Sequence, residues 1–340
     1  MLLSIIIPFF NSFKFSEDIR KVIDKSLKEY SDIEFILIDD GSIDSTFYFL
    51  KEYFKEYSNT KNIKIIKQDN SGPGAARNNG LTLACGEFVW FVDSDDSINL
   101  DIALNELKKH KKEFNDFDFI DFNIISEALV HNSMKINPGV YFDVKDIDMY
   151  MQLGRIITKI FNRKFLINNN IKFMERCYYE DNYLIFILPI YITKFIKSDK
   201  TAYLYNTTCP SITRGGFSEK FYDRLLSAYA GLDYNARHCK SIQRGCLISF
   251  YNLFLLITYK HITRGIESKE INPDQYKNLE KCFEWLNFIE EKYNIKYIDN
   301  VKKTKFKKRF RLFKLKRLVK KYKAIDNYNY FNCMNKNNWK

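Results

Sequence analysis

The chain of 340 residues contains no C-x-x-C pair. Its seven cysteines, Cys85, Cys177, Cys209, Cys239, Cys246, Cys282 and Cys333, are scattered and odd in number. That pattern yields neither a zinc site nor a disulfide framework and fits a reducing compartment. Histidine is scarcer still. His110, His131, His238 and His261 lie far apart without metal-ligand spacing and are read as structural or surface residues. No apolar run reaches the roughly 18–20 residues that span a bilayer. The longest, 246-CLISFYNLFLLITY-259, carries Asn252 in its middle. The chain opens almost at once on LLSIIIPFF, without a basic leader or a small-residue cleavage site, so a cytoplasmic protein is expected. A phosphate loop with G-K-[ST], a G-x-G-x-x-G fingerprint and internal repeats are also missing.

Hydrophobic residues at 46% allow a substantial core and exclude global disorder. The net charge of +12 suggests nucleic acid until it is located. Thirteen Lys or Arg and no acid lie between Val301 and Ile325; the remainder holds 41 basic and 42 acidic side chains, a net of −1. The basicity therefore belongs to the tail.

The first hundred residues alternate two periods. Residues 3–9, 33–38, 62–67 and 87–92 read as strands. Between them, Ile19, Val22, Ile23, Leu27 and Tyr30 form a helical stripe with Ser16 as its cap. Phe47, Leu50, Phe54 and Tyr57 form a second stripe from about Asp44, and Pro73 opens a third helix through Ala84. Such alternation predicts an α/β fold with right-handed crossovers and a mainly parallel sheet. Beyond residue 100, residues 117–125 are expected to form a strand, and 155–163 with 171–173 a second lobe. Helical signals dominate from about 217 to 293.

Polar clusters follow each early strand: Pro8 to Asn11, Asp39 and Asp40, Gln68 to Asn70, and Asp93 to Asp96. In an open parallel sheet these positions gather along one edge, where ligands bind. In 86-GEFVWFVDSDD-96 an apolar strand runs straight into three carboxylates, which cannot be buried bare. Spaced acids at a strand end suit Mg²⁺ or Mn²⁺, which can in turn hold a diphosphate, although an ordinary solvated turn has the same appearance. Asp39 and Asp40 before Gly41 and Ser42 either read a base or ribose group or form a turn. In 71-SGPGAARNNG-80 glycines permit close backbone approach and Arg77 suits phosphate.

Together SIIIPFFN (4–11), DDGSIDST (39–46), NSGPGAARNNGL (70–81) and GEFVWFVDSDD (86–96) resemble family 2 glycosyltransferases of the GT-A fold. The segments 178-YYEDNYLIF-186 and 203-YLYNTTCPSIT-213 extend the resemblance to about residue 215. The resemblance implies a GT-A domain over 1–215; the helical signals beyond it give a helical region over 216–300, and the charge gives a basic tail over 301–340. It implies an inverting, metal-dependent transfer from a nucleotide-sugar, with a UDP-sugar the leading expectation. The acceptor would be a hydroxyl of a glycan or lipid-linked glycan in bacterial surface polysaccharide or lipooligosaccharide synthesis. Pro8, Phe10, Asp39, Asp40, Arg77, Asp93 and Ser94 would line the donor site, and Asp95 with Asp93 would hold Mn²⁺ or Mg²⁺. Asp181 would be the catalytic base with Glu180 beside it, and Asp96 has no assigned role. Tyr203 and Tyr205 suit either core packing or an acceptor pocket.

Two other classes stand beside this one. A sugar-1-phosphate nucleotidyltransferase would need a glycine-rich, basic loop where this chain reads PFFNSFKFSED. A non-catalytic interaction protein would tolerate loss of acids that are present here. In 302-KKTKFKKRFRLFKLKRLVKKYK-323, Phe306, Phe310 and Phe313 share one helical face. A cationic helix with such a stripe suits the anionic inner face of the cytoplasmic membrane rather than nucleic acid, with a solvated helix as the plain alternative.

Overall fold

Apolar residues on both faces make the first strand of this protein a central one. In β1 (Leu3–Phe9), Leu3, Ile5, Ile7 and Phe9 face one core while Ile6 faces the other side, and all five are fully buried. The structure, a computed structural model, describes residues 1–127, 129–142, 153, 155–208, 221–238 and 291. One compact unit comprises Met1–Arg176 and Tyr191–Pro210. A second comprises Cys177–Ile190 and Ser211–Lys340.

In the first unit, β1 is followed by α1 (Glu17–Glu29), β2 (Ile33–Asp40), α2 (Thr46–Tyr53), β3 (Ile63–Gln68), α3 (Gly72–Leu83) and β4 (Phe88–Phe91). Then come β5 (Ser97–Ile98), α4 (Leu100–Phe114), β6 (Phe119–Ser126), β7 (Leu129–His131), β8 (Gly139–Phe142), β9 (Lys159–Asn162) and α5 (Arg163–Asn168). Helix α6 (Asp181–Tyr191) precedes β10 (Lys194–Tyr205), and α7 (Phe221–His238) closes the described elements.

The sheet order is β3-β2-β1-β4-β9-β6-β10-β5, with β7 on β6 and β8 on β10. Strands β1 to β4 are mutually parallel, as the alternating pattern predicts. Phe35 and Leu37 of β2 and Trp90 of β4 join the odd-numbered residues of β1 in a core that also takes Ile19 and Ile23 from α1 and Leu104 and Leu107 from α4. Each such side chain buried is worth about 1.5–3 kcal/mol. Against the opposite face lies α3. A Cβ on Gly80 would stand 2.3 Å from Ile6 Cγ2, so this glycine serves helix–strand packing rather than a ligand.

Two local expectations change. Ser16 precedes α1 but makes no capping bond through its side chain; its carbonyl accepts the Arg20 N–H at 3.1 Å. Asp44 instead binds the Thr46 N–H at 2.9 Å, leaving Ser45 at the cap position of α2. A larger correction concerns 155–163. Strand β9 is no part of a separate lobe but lies between β4 and β6, antiparallel to both. Ile160 and Phe161 are both fully buried, one on each face, and only an interior strand satisfies both.

The centre of the sheet holds an ionic cluster. Asp121 on β6 lies in register with Lys159 on β9 and with Lys197 on β10. Its Oδ1 lies 3.0 Å from Lys159 Nζ, its Oδ2 3.3 Å from Lys197 Nζ, and all three side chains have no exposure. Thr158 and Ser133 also donate their hydroxyls to it. Burial lowers the pKa of both lysines, and the shared carboxylate opposes that shift. The expected helical region over 216–300, apart from residues 221–238 and 291, and the tail over 301–340 lie outside the described residues.

Removing the carboxylate would leave two buried ammonium groups facing each other. Asp121→Ala is expected to cost about 3–5 kcal/mol, and Lys197→Met much less, because Lys159 still neutralises Asp121. Thermal and denaturant unfolding of the two variants beside wild type tests the difference; equal losses would contradict it.

Candidate active site

Parallel pairing brings the C-terminal ends of β1, β2, β3 and β4 to one edge. Asp39 and Asp40 are not loop residues: they end β2, paired with Lys67 and Gln68 of β3, and both are buried. Asp40 Oδ1 accepts from Gln68 Nε2 at 2.8 Å and the Ser71 N–H at 2.9 Å, while Oδ2 accepts from the Gly72 N–H at 2.8 Å. It thereby caps α3 from another strand, since Ser71 makes no capping bond of its own. Gly41 adopts φ +70°, and a Cβ there would lie 2.7 Å from Asn70 N, so the turn requires glycine.

Asp39 is different. Its Oδ2 accepts the Ser42 N–H at 3.2 Å, but its Oδ1 is buried without a hydrogen-bond partner. A buried carboxylate oxygen left bare is costly, so this atom is set to accept from a ligand. On β1 Phe9 lies in register with Asp39 and Pro8 with Ile38, and Phe10 just beyond is about half exposed. Asn11 fixes this loop: its N–H donates to Ser42 Oγ at 2.9 Å and its Oδ1 accepts from the Ile43 N–H at 3.0 Å.

After β4 the acids separate by environment. Arg77, buried on α3, donates to Asp93 Oδ1 at 2.6 Å and lies over the Phe173 ring at 5.3 Å. Ser94 is buried against Ser12 (3.0 Å between hydroxyls), and Asp95 is half-buried. Asp96 turns inward and is 1% exposed. Its Oδ2 accepts from Tyr203 Oη at 2.6 Å and its Oδ1 from the Asn206 N–H at 2.8 Å. Burial, then the charge of Asp93, pushes Asp96 up to about 8. Tyr203 also accepts the Asp93 N–H at 3.2 Å. One fully buried phenol on β10 thus holds both ends of the Asp93–Asp96 turn. Tyr203 reads from sequence as core packing; its Oη partners come from a distant strand that no local pattern announces.

In the second unit, Asp181 opens α6. The preceding residues are tied to α7: Asp223 Oδ2 accepts the Tyr178 N–H at 2.8 Å, and Arg224 lies over the Tyr179 ring at 4.2 Å. Asp181 and Tyr179 both act electrostatically on Arg224. Tyr179 adopts φ +61°, a left-handed conformation unusual for a bulky residue, immediately before buried Glu180. Asp223 and Arg224 were not among the expected site residues, since the 221–238 helix carries no motif around them.

Asp93 and Asp95 supply hard oxygen donors of the kind Mg²⁺ and Mn²⁺ take. Among the described residues no group of three His, Cys, Asp or Glu is placed to enclose an ion. The donor set therefore fits a cation that completes its shell with diphosphate oxygens and water, the usual habit of Mg²⁺.

Residues 4–177 match Glycosyl transferase family 2, and the chain belongs to that family. A poly(ribitol-phosphate) β-glucosyltransferase from Bacillus spizizenii is 33% identical over 178 residues, 51% of this chain and 27% of that protein. A cholesterol galactosyltransferase from Borreliella burgdorferi is 28% identical over 63% of this chain and 60% of its own length. The chain thus spans 27% and 60% of the lengths of these two curated relatives. A crystal structure of Staphylococcus aureus TarS 1-349 in complex with UDP-GlcNAc superposes with a TM-score of 0.64 at 22% identity, covering 88% of this chain and 89% of that one. The α/β fold is the GT-A fold expected from the sequence.

Because Tyr203 Oη anchors Asp96 and the Asp93 amide together, Tyr203→Phe should loosen the turn without emptying the core. Burial holds Asp96 largely protonated near neutral pH, so this is an ordinary hydrogen bond contributing about 0.5–1.5 kcal/mol, and nucleotide affinity in the presence of Mn²⁺ is expected to fall by roughly two- to tenfold. Calorimetric titration with UDP reads this, with the melting temperature as control; unchanged affinity would contradict the role.

Proposed function

We propose that this protein is an inverting, metal-dependent glycosyltransferase. It moves a sugar from a nucleotide-sugar, a UDP-sugar in the first instance, to a hydroxyl of a glycan or lipid-linked glycan in bacterial surface-glycan synthesis. The observation that carries the reading is the pairing, on one sheet edge, of the bare buried oxygen of Asp39 with the Asp93–Asp95 carboxylates. The family match and the names of the relatives support it, as does the UDP-GlcNAc held by a structure of the same fold.

In this reading Asp39 Oδ1 accepts an N–H of the base, Phe10 and Pro8 cover the base, and Asp40 keeps the 68–72 loop in place. Arg77 orients Asp93 and, with Ser94, borders the diphosphate. Asp93 and Asp95 would hold Mn²⁺ or Mg²⁺, which when bound neutralises charge developing on the leaving diphosphate. Asp181 removes the proton from the acceptor hydroxyl as that oxygen bonds to C1 and the C1–O bond to the diphosphate breaks. A single displacement inverts the anomeric centre without a covalent enzyme intermediate. Glu180, buried beside Asp181, positions it. Residues 1–215 form the catalytic domain in this reading, with 216–300 as a helical appendage. The basic segment 302–323 lies against an anionic cytoplasmic membrane, and salt-sensitive binding to anionic but not neutral vesicles tests that part.

Asp181→Asn should lower transfer by about 10²–10⁴-fold, the usual worth of a general base, while UDP binding persists. Asp95→Ala or EDTA should abolish metal-stimulated turnover. A donor panel of UDP-, GDP- and dTDP-sugars with Mn²⁺, read by nucleotide release, makes the measurement; undiminished turnover in both variants would refute the assignment.

A further inference from the structure

Three consecutive side chains of α3 reach three different parts of the first unit. Arg77 holds Asp93, Asn79 donates to Gln68 Oε1 at 2.8 Å, and Asn78 turns to a segment 95 residues further along the chain. Residues 171–174 adopt no regular structure, so their peptide groups need partners outside any ladder. The Asn78 amide supplies them as a neighbouring strand would. Its Oδ1 accepts the Phe173 N–H at 2.9 Å, and its Nδ2 donates to the Phe173 carbonyl at 3.0 Å. The same Nδ2 lies 3.1 Å from Glu175 Oε1, and the Arg176 N–H donates to the Ser71 carbonyl at 2.8 Å, so α3 fastens this segment at both ends.

What is fastened is the Phe173 ring. It is 5% exposed, meets the Phe91 ring edge-on at 4.8 Å, and lies against the Arg77 guanidinium at 5.3 Å. Phe91 ends β4 just before Val92 and Asp93, and Arg77 donates to Asp93 Oδ1. The ring therefore packs between the strand that delivers this carboxylate and the cation that orients it. A guanidinium with an aromatic face against it swings less freely and is shielded from water, which strengthens its bond to a carboxylate. Asparagine suits position 78 because its amide offers a donor and an acceptor side by side. Aspartate has no donor for the Phe173 carbonyl, and an aliphatic side chain has neither group.

We propose that Asn78 is a positioning residue for the cation loop: by fixing the backbone of Phe173 it keeps the ring on Arg77, and Arg77 in turn aims Asp93. The inference rests on the metal-dependent reading above, in which Asp93 and Asp95 share a cation. Asn78 acts through Phe173 and Arg77, not on nucleotide or ion directly. Its loss should weaken the cation-dependent part of nucleotide binding and spare the part made by base and ribose.

The test measures UDP affinity of the full chain by calorimetry with and without Mn²⁺, for wild type, Asn78→Ala, Phe173→Leu and the double variant. The gain in affinity on adding Mn²⁺ should shrink roughly fivefold or more in each single variant, the scale of one desolvated cation–π contact. Metal-free affinity should be unchanged. The double variant should lose no more than either single one, because both act through the same ring. A second readout needs no ligand. In protein carrying isotopically labelled arginine, the Arg77 side-chain N–H, assigned with Arg77→Lys, should exchange with water about threefold faster or more in both single variants. An undiminished Mn²⁺ gain, equal falls with and without Mn²⁺, additive losses, or an Arg77 signal that neither variant moves overturns the proposal. Should Asn78→Ala fail to fold, Phe173→Leu, which keeps an apolar side chain in the core, carries both readouts. A wild type whose UDP affinity ignores Mn²⁺ refutes the cation reading instead, and Arg77 exchange then decides whether Asn78 orients the guanidinium.

Discussion

Carboxylates crowded onto one sheet edge repel each other, and each must find a different accommodation before the edge can exist. Asp40 takes the amides at the start of α3, Asp93 takes Arg77, and Asp96 takes Tyr203 and Asn206. Only after these are placed does Asp39 keep an open buried oxygen and Asp95 a half-buried side chain. The division of labour is electrostatic. Acids that are satisfied internally hold the backbone, and the bare buried oxygen of Asp39 marks where a ligand belongs.

That division separates two kinds of surface within one unit. On the side of Asp39 and Arg77 a buried guanidinium and backbone amides gather around anions. On the side of Asp96 the wall is carboxylate, amide and phenol. The turn 93–96 is the boundary, and its rigidity comes from β10 rather than from its own sequence.

Much of this edge was legible in the chain. Strands β1, β2 and β4 carry long apolar runs bounded by polar clusters, so the alternation and the parallel sense followed from pattern alone. Asp93 to Asp96 stood out because charge follows five apolar residues at once. What stayed hidden was long-range. Four residues of β9 are too short to declare a partner, and so a segment read as a second lobe became the strand joining both halves of the sheet. Asp40 was expected beside the base with Pro8 and Asp39, and only the fold reveals that three donors converge on it. Arg224 and Asp223 lie more than forty residues from the segment they steady. Local patterns cannot encode such pairings; they arise when distant elements are brought together.

The position of β9 also bears on the order in which the molecule is made. Strands β1 to β4 emerge from the ribosome with everything needed to pair, but β6 and β10 connect to them only through a strand ending at Asn162. The phenol that fastens the 93–96 turn emerges about a hundred residues after the turn itself. A nascent chain therefore displays a nearly complete half-sheet whose acidic loop is held by Arg77 and Ser12, and the second fastening, from Tyr203, is added late in synthesis.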